Sequence, residues 1–234
     1  MYNLYVVTVS PLTRTDGCGD QTNRADAATE IYLRAKAFAE AHFGDEILWQ
    51  RQADIARITE SDFLRETAWV IFCTGFRERT LRTYFSYLSL CFCDWESANA
   101  IVQCAEVCRT SALAAFNNPR KVDAIIEIAR RIDQEGFTNF RLEILQKPID
   151  VLRRLPYIGP ITAFHLAKNL GFPVAKPDRH LQRLATALSY TDAHLLCQDI
   201  AEVSGDPPQV VDLVLWRFLA EGQDRVSRPR KHAS

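Results

Sequence analysis

Apolar residues recur every three or four positions along most of the chain, which is the spacing of an amphipathic α-helix. The pattern predicts helices over residues 27–43, 46–57, 61–74, 77–90, 96–115, 119–134, 148–154, 160–170, 178–188, 192–203 and 207–220. Residues 1–10, MYNLYVVTVS, read instead as a short strand, and a polar loop follows them. The sequence therefore predicts an all-α protein with, at most, one short strand at its N-terminus.

A tight turn, Leu155 to Gly159, separates two of the predicted helices, 148–154 and 160–170. Gly159 supplies a backbone without a side chain, and Pro160 suits the first helical position because its missing N–H would have no partner there. The remaining unpaired N–H groups and the helix dipole form an anion site. In a DNA-binding protein the natural anion is a backbone phosphate, which positions the protein without reading sequence.

Asp178 opens the next predicted helix, nineteen residues after Gly159. Aspartate is a favoured N-cap residue, so a purely structural role is one interpretation. A carboxylate at a helix N-terminus is also biased toward its ionised form, which suits it to stabilise a positive charge. The two roles are compatible, and the residues alone leave both open.

The segment from Leu155 to Ala185 resembles the helix-hairpin-helix DNA glycosylases. Their pattern is Leu-Pro-Gly-Ile/Val-Gly-Pro-x-Thr-Ala, followed about twenty residues later by Asp-x-His-hydrophobic-x-Arg. The matching residues are Leu155, Pro156, Ile158, Gly159, Pro160, Thr162, Ala163, Asp178, His180, Leu181 and Arg183. Tyr157 stands where the family usually has glycine. Weaker similarity runs from about Phe63 to Leu219, and the resemblance does not extend to residues 1 to about 45.

The resemblance implies a two-lobed helical fold with the DNA-facing cleft between the lobes. Residues 61–189 would form the central lobe, which contains the helix-hairpin-helix at about 148–170 and Asp178. Residues 1–60 and 190–234 would together form the other lobe.

The resemblance also implies a reaction. As a base leaves, C1′ of the deoxyribose gains oxocarbenium character, which a nearby carboxylate stabilises, and the base must first be flipped out of the stack. Asp178 is therefore the expected catalytic residue. Bifunctional relatives carry a nucleophilic lysine where this chain has Ile161, and isoleucine cannot form a Schiff base. Hydrolysis without strand cleavage is the preferred outcome, with a lyase that uses Lys168 or Lys176 as an alternative.

Residues expected to contact DNA follow from the hairpin and its neighbours: Leu155, Tyr157, Gly159, Pro160, Thr162, Lys121, Arg179 and Arg77. Phe76 and Arg77 lie where relatives place residues that fill the space left by the flipped base. Candidates for the base pocket are Trp49, Glu66, Trp69, Phe76, Asp212 and Trp216. Core packing of the tryptophans and a solvated position for Glu66 are the alternatives.

Charge is distributed unevenly, although the formal net charge is only −1. Residues 117–190 carry 12 Lys and Arg against 7 Asp and Glu, whereas residues 1–116 carry 11 against 15 and residues 191–234 carry 5 against 7. The near-neutral total excludes a polycationic coat for nucleic acid. The basic hairpin segment is what one phosphate-binding face requires.

The seven cysteines are an odd number in mostly apolar helical sequence: Cys18, Cys73, Cys91, Cys93, Cys104, Cys108 and Cys197. They indicate reduced thiols in an intracellular protein. Some relatives hold a four-cysteine iron–sulfur cluster near the C-terminus, but here only Cys197 lies beyond residue 108, and the other spacings fit no standard zinc site. We expect no metal and no iron–sulfur cluster, and leave open one monovalent cation at the hairpin.

A signal peptide and an apolar run of about 20 residues are both missing from the sequence. We expect a cytoplasmic monomer that acts on double-stranded DNA, away from membranes. The predicted function is a monofunctional DNA glycosylase that excises a damaged or modified base. A hypermodified phage base, removed in antiviral defence, is the secondary hypothesis for the substrate. A non-catalytic DNA-binding module and an all-helical interaction protein are the alternatives from other functional classes.

Overall fold

The computed structural model describes residues 18–222. In this range the chain forms helices and no strand, which confirms the all-α class; the predicted strand over residues 1–10 lies outside the described residues. The helices are α1 (Cys18–Gln52), α2 (Glu60–Cys73), α3 (Glu78–Cys91), α4 (Ala98–Gln103), α5 (Ala105–Ala115), α6 (Pro119–Glu135), α7 (Phe137–Gln146), α8 (Pro148–Leu152), α9 (Pro160–Asn169), α10 (Arg179–Ala187), α11 (Ala193–Ser204) and α12 (Pro208–Ala220), with a 3₁₀ turn at Cys93–Trp95. None of these helices has the length and apolar content needed to cross a membrane.

Three stretches differ from the predicted helices. The helices expected over 27–43 and 46–57 form one helix, α1, which is kinked where Phe43 adopts φ −137° and ψ 28° and ends at Gln52. The helix expected over 96–115 is interrupted at Cys104. Helix α7 was not predicted because it buries only Phe140 and Ile144, which is too few apolar positions for a clear period.

The helices pack around two hydrophobic clusters. The first contains buried residues between Phe63 and Phe172, from α2 through α9. The second joins α1 to α10, α11 and α12 through residues between Ala28 and Ile47 and between Ala175 and Leu219. The packing changes near residue 173, whereas the boundary expected from the sequence is residue 189. The reason is that α10 turns Leu181 and Leu184 into the second cluster, so Asp178 caps a helix of that cluster.

Two contacts hold the clusters against each other. After α9 the chain turns at Gly171, which has φ +92° and lies against the backbone of Ala53, just beyond the end of α1. The Gln50 side chain donates a hydrogen bond to the carbonyl of Lys168 at 2.8 Å. The C-terminal end of α9 is thus fixed on α1, and this contact sets where the segment leading to Asp178 begins.

An ion-pair network joins the same two clusters elsewhere. Arg217 on α12 contacts Glu46 on α1 at 2.5 Å and Glu78 on α3 at 2.9 Å. Arg82 on α3 also contacts Glu46, at 3.0 Å, and Glu78, at 2.5 Å. The network therefore ties α1 and α12 of the second cluster to α3 of the first.

Candidate functional site

The turn between α8 and α9 has the geometry of a hairpin. Tyr157 adopts φ +65°, a left-handed conformation that costs a residue with a side chain roughly 1–2 kcal/mol. Gly159 caps α9, and its N–H donates to the hydroxyl oxygen of Thr162 at 2.6 Å. The turn therefore keeps the backbone shape that glycine would give at position 157, although a tyrosine occupies it.

The hairpin presents apolar side chains and free backbone donors to solvent. Tyr157 is 39% exposed and Ile161 is 50% exposed. The first hydrogen bond of α9 runs from the N–H of Ala163 to the carbonyl of Gly159. The N–H groups of Ile161 and Thr162 come before this bond and have no partner within the helix. Leu155, by contrast, is 3% exposed and belongs to the first cluster. The expected contact between Leu155 and DNA stays a prediction, and the structure places this side chain in the core.

Lys121 is also buried, with 1% exposure. Its ammonium donates to the carbonyls of Phe72, at 2.8 Å, and Thr74, at 2.6 Å, and lies 4.6 Å from the ring centre of Phe76 and 5.7 Å from that of Tyr157. Burial lowers its pKa to about 8. The expected DNA contact of Lys121 stays a prediction, and the structure shows its ammonium bound to two backbone carbonyls. Its side chain holds the C-terminal end of α2 and supports two exposed aromatic rings.

Phe76 and Arg77 lie in the turn between α2 and α3, and both are exposed. Phe76 forms one wall of an apolar cavity of about 270 Å³, whose other lining residues include Thr80, Tyr84 and Phe116. An exposed aromatic ring beside an exposed arginine, near the hairpin tyrosine, is consistent with a surface that meets DNA. The role of filling a vacated base position stays a prediction.

The carboxylate of Asp178 caps α10. Its Oδ1 accepts hydrogen bonds from the N–H groups of His180, at 2.8 Å, and Leu181, at 3.0 Å. Both bonds go to the same oxygen, and within residues 18–222 Oδ2 accepts none. Asp178 is partly buried, and its neighbour Arg179 is exposed. The capping interpretation therefore holds, and the cap uses only one of the two carboxylate oxygens.

A buried ion pair lies beside this segment. Asp212 on α12 is 1% exposed, and its Oδ1 accepts from the ammonium of Lys168 on α9 at 2.5 Å. Its Oδ2 accepts from the backbone N–H of Lys176 at 2.6 Å. Both oxygens of Asp212 are thus occupied by protein groups. The residue joins α9 and α12 and fixes the chain two residues before Asp178, a role that its position among the apolar residues of α12 could have suggested.

A second cavity, of about 180 Å³, contains two of the predicted pocket residues. Trp49 and Glu66 line it together with Asn169, whose amide donates to Glu66 Oε2 at 3.2 Å. Burial raises the pKa of Glu66 to about 7. A carboxyl group that is half protonated near neutral pH can both donate and accept hydrogen bonds, which suits a polar pocket.

The remaining pocket candidates lie apart from this cavity. Trp69 packs edge-on against Phe85, with ring centres 5.0 Å apart. Trp216 lies beneath the guanidinium of Arg217, 4.7 Å from it. Neither tryptophan, nor Phe76, nor Asp212 lines the cavity of Trp49 and Glu66. The six candidates therefore do not form one pocket.

Stability should depend on pH through Glu66. Between pH 4.5 and about pH 7, Glu66 is protonated in the folded protein and ionised in the unfolded chain. The free energy of unfolding therefore falls as the pH rises through this range. Glutamine cannot ionise, so Glu66→Gln removes this loss of stability. As the pH rises from 5 to 8, the free energy of unfolding of the variant should increase by about 2–3 kcal/mol relative to that of the original protein. Denaturant unfolding at both pH values measures the change.

Glu127→Gln is the matched control, because Glu127 is exposed on α6. The difference in free energy of unfolding between Glu127→Gln and the original protein should be the same at pH 5 and at pH 8. A Glu66→Gln variant that behaves like this control would contradict the burial of the carboxyl group.

The helices have the arrangement of a known DNA glycosylase structure. The chain is similar to the crystal structure of the 8-oxoguanine DNA glycosylase of Thermotoga maritima, with a TM-score of 0.56 and 18% sequence identity over 85% of this chain and 98% of that one. No protein-family model and no curated protein matches the sequence. The likeness establishes the fold: this chain has the all-α fold of that glycosylase.

Proposed function

We propose that the protein is a monofunctional DNA glycosylase, which acts as a monomer and hydrolyses the N-glycosidic bond of a damaged or modified base flipped out of duplex DNA. The observation that carries the proposal is the carboxylate of Asp178, bound to two N–H groups through Oδ1 and open at Oδ2. The glycosylase fold and the hairpin geometry support it.

Asp178 has the chemistry that base release needs. When the C1′–N bond breaks, its electron pair leaves with the base and positive charge develops on the sugar, where a fixed carboxylate stabilises it. At about 4 Å and an effective dielectric constant near 20, the attraction is of order 4 kcal/mol, or about three powers of ten in rate. Water then adds to C1′ and gives up a proton, which leaves an abasic site.

The surroundings of Asp178 favour water as the nucleophile. Ile161, at the position where bifunctional relatives carry lysine, has no group that can attack C1′. Lys168, one of the two alternative nucleophiles, is buried and paired with Asp212. Hydrolysis without strand cleavage is therefore the expected outcome.

Gly159→Ala tests the hairpin. The backbone of Gly159, at φ −93° and ψ −177°, suits any residue, and an added Cβ would lie 3.7 Å from its nearest neighbour, Thr162 Oγ1. The methyl group would instead stand between the first turn of α9 and a DNA phosphate. We expect thermal stability to change little and affinity for duplex DNA to fall about tenfold, roughly the loss of one charge-assisted hydrogen bond.

Thermal unfolding and DNA-binding titration of the same preparation separate the two effects. Gly44→Ala, at a glycine with no atom within 4 Å of an added Cβ, is the control and should bind DNA normally. Full DNA affinity in Gly159→Ala would exclude the hairpin as the phosphate contact.

A panel of duplexes tests the function itself. The panel carries 8-oxoguanine, deaminated and alkylated bases, mismatched thymine and phage-type modified cytosines, and alkaline cleavage reveals abasic sites. We expect release of at least one base, with strand breaks only after alkali. Binding without release would indicate the non-catalytic module, and failure to bind at low salt would indicate an interaction protein. Breaks without alkali would favour the lyase alternative.

A further inference from the structure

Lys176 is held in the same short turn as Asp178. Its backbone N–H donates to Asp212 Oδ2 at 2.6 Å, and its carbonyl accepts from the N–H of Asp178 at 2.8 Å. Because Pro177 between them fixes its own φ, the turn has little freedom. The backbone positions of Lys176 and Asp178 relative to each other are therefore fixed before any substrate binds.

The ammonium of Lys176 differs from that of Lys168. Lys168 is paired with Asp212, whereas the Lys176 ammonium makes neither a hydrogen bond nor an ion pair within the described part of the chain. Lys176 is partly buried. Titratable groups approach it from three helices and from its own turn: His165 and Lys168 on α9, Asp212 on α12, Cys73 at the end of α2, and Asp178. A partly buried cation without a partner is costly to keep, which is typical of a functional group.

These neighbours also shift the pKa of the Lys176 ammonium. Burial, and then the charge of Lys168, lower the pKa of Lys176 below its usual value, while Asp178 and Asp212 act to raise it. Burial and the charges of Lys176 and Lys168 hold the pKa of His165 well below its usual range, so His165 is neutral at pH 7. Among these groups, the unpaired ammonium is the one placed to give up a proton.

We propose that Lys176 is the general acid of base release: its ammonium donates a proton to the departing base while Asp178 stabilises C1′. The inference rests on the proposed function. The C1′–N electron pair goes to the base, the proton of Lys176 neutralises the base, and water adds to C1′. The proton released by that water is available to restore the ammonium.

The assignment names a class of substrate. A neutral base would leave as an anion, so a proton donor accelerates its departure. An N-alkylated purine already carries a positive charge, needs no proton to leave, and would be repelled by an ammonium beside it. The site therefore fits uncharged bases that are oxidised, deaminated or otherwise modified, and disfavours cationic alkylpurines.

Lys176→Gln tests the assignment on whichever duplex of the panel the protein cleaves. The single-turnover rate should fall about 100-fold with little change in DNA affinity, because general acids typically contribute two to four powers of ten. The original protein should lose activity as the pH rises through the pKa of Lys176, and the variant should lack this alkaline decline. Within a series of substituted bases, the rate of base release by the variant should depend more steeply on the leaving ability of the base.

Two further variants separate the proton from the charge. Lys176→Arg keeps the positive charge but does not release its proton, so it should be nearly as slow as Lys176→Gln. Lys147→Gln removes one exposed lysine at the start of α8 and should keep the original rate. Circular dichroism checks the fold, which uses only the backbone of Lys176 in the hydrogen bonds above.

Several results would overturn the assignment. Equal rates and equal pH profiles for Lys176→Gln and the original protein would exclude a proton donor, and restored activity in Lys176→Arg would reduce the role to charge. A borohydride-trapped DNA adduct that Lys176→Gln abolishes would make Lys176 a nucleophile instead. If the original protein releases no base from any duplex, the proposed function itself fails; base release that is indifferent to Lys176 removes only this inference.

Discussion

Asp178→Asn is expected to lower the single-turnover rate of base release by about 10³-fold or more, while DNA binding and the fold persist. Asparagine keeps an oxygen that can accept from the N–H groups of His180 and Leu181, so α10 remains capped. It removes the negative charge that would face C1′. Abasic-site formation under single turnover, together with a DNA-binding titration, measures the two effects separately.

The chain supplies a matched control at Asp192, which caps α11 in the same way. Its Oδ1 accepts from the N–H groups of His194, at 2.9 Å, and Leu195, at 3.0 Å. Asp192→Asn should change stability about as much as Asp178→Asn and leave the rate unchanged. Base release by Asp178→Asn within tenfold of the original rate would remove Asp178 from the mechanism, as would an equal loss in Asp192→Asn.

Gly171→Ala is expected to lower the free energy of unfolding by about 3–5 kcal/mol. An added Cβ would lie 2.5 Å from the carbonyl oxygen of Ala53 and 2.8 Å from the N atom of Asp54. The Ala53 N–H is bonded to the carbonyl of Trp49 at 3.1 Å, so this backbone cannot easily move away. The φ of +92° adds strain for any residue with a side chain.

Gly205→Ala separates the strain from the clash. Gly205 has φ +74°, but no atom lies within 4 Å of an added Cβ. This variant should lose only about 1 kcal/mol. Denaturant unfolding of both variants gives the comparison, and a Gly171→Ala variant no less stable than Gly205→Ala would show that α9 and the end of α1 are not in close contact.

Local sequence was sufficient for the helices and for the hairpin. Most helices of the described range follow the apolar period, because each buries one face. The hairpin needs only its own residues: Gly159 and Pro160 begin α9, and Thr162 closes the cap. Asp178 was identified as a cap for the same reason, since its two partners, His180 and Leu181, lie within three residues of it in the chain.

Burial of polar residues could not be inferred in this way. Lys121 was expected to contact DNA, and α6 turns its side chain toward the carbonyls at the end of α2, which are distant in sequence. Asp212 looked like the border of a pocket, but its partners Lys168 and Lys176 come from other parts of the chain. Both roles exist only once the helices have packed.

The sequence by itself determined the helical class, the hairpin and the position of Asp178 at the start of α10, because these depend on backbone geometry and on neighbours within about four residues. Only the tertiary structure decided that Trp49 and Glu66 share a cavity while Trp69 and Trp216 do not, and that Lys176 remains unpaired beside Asp178 within the described range. Those outcomes depend on how the two clusters meet at Gly171 and Ala53, and that contact joins residues more than a hundred positions apart.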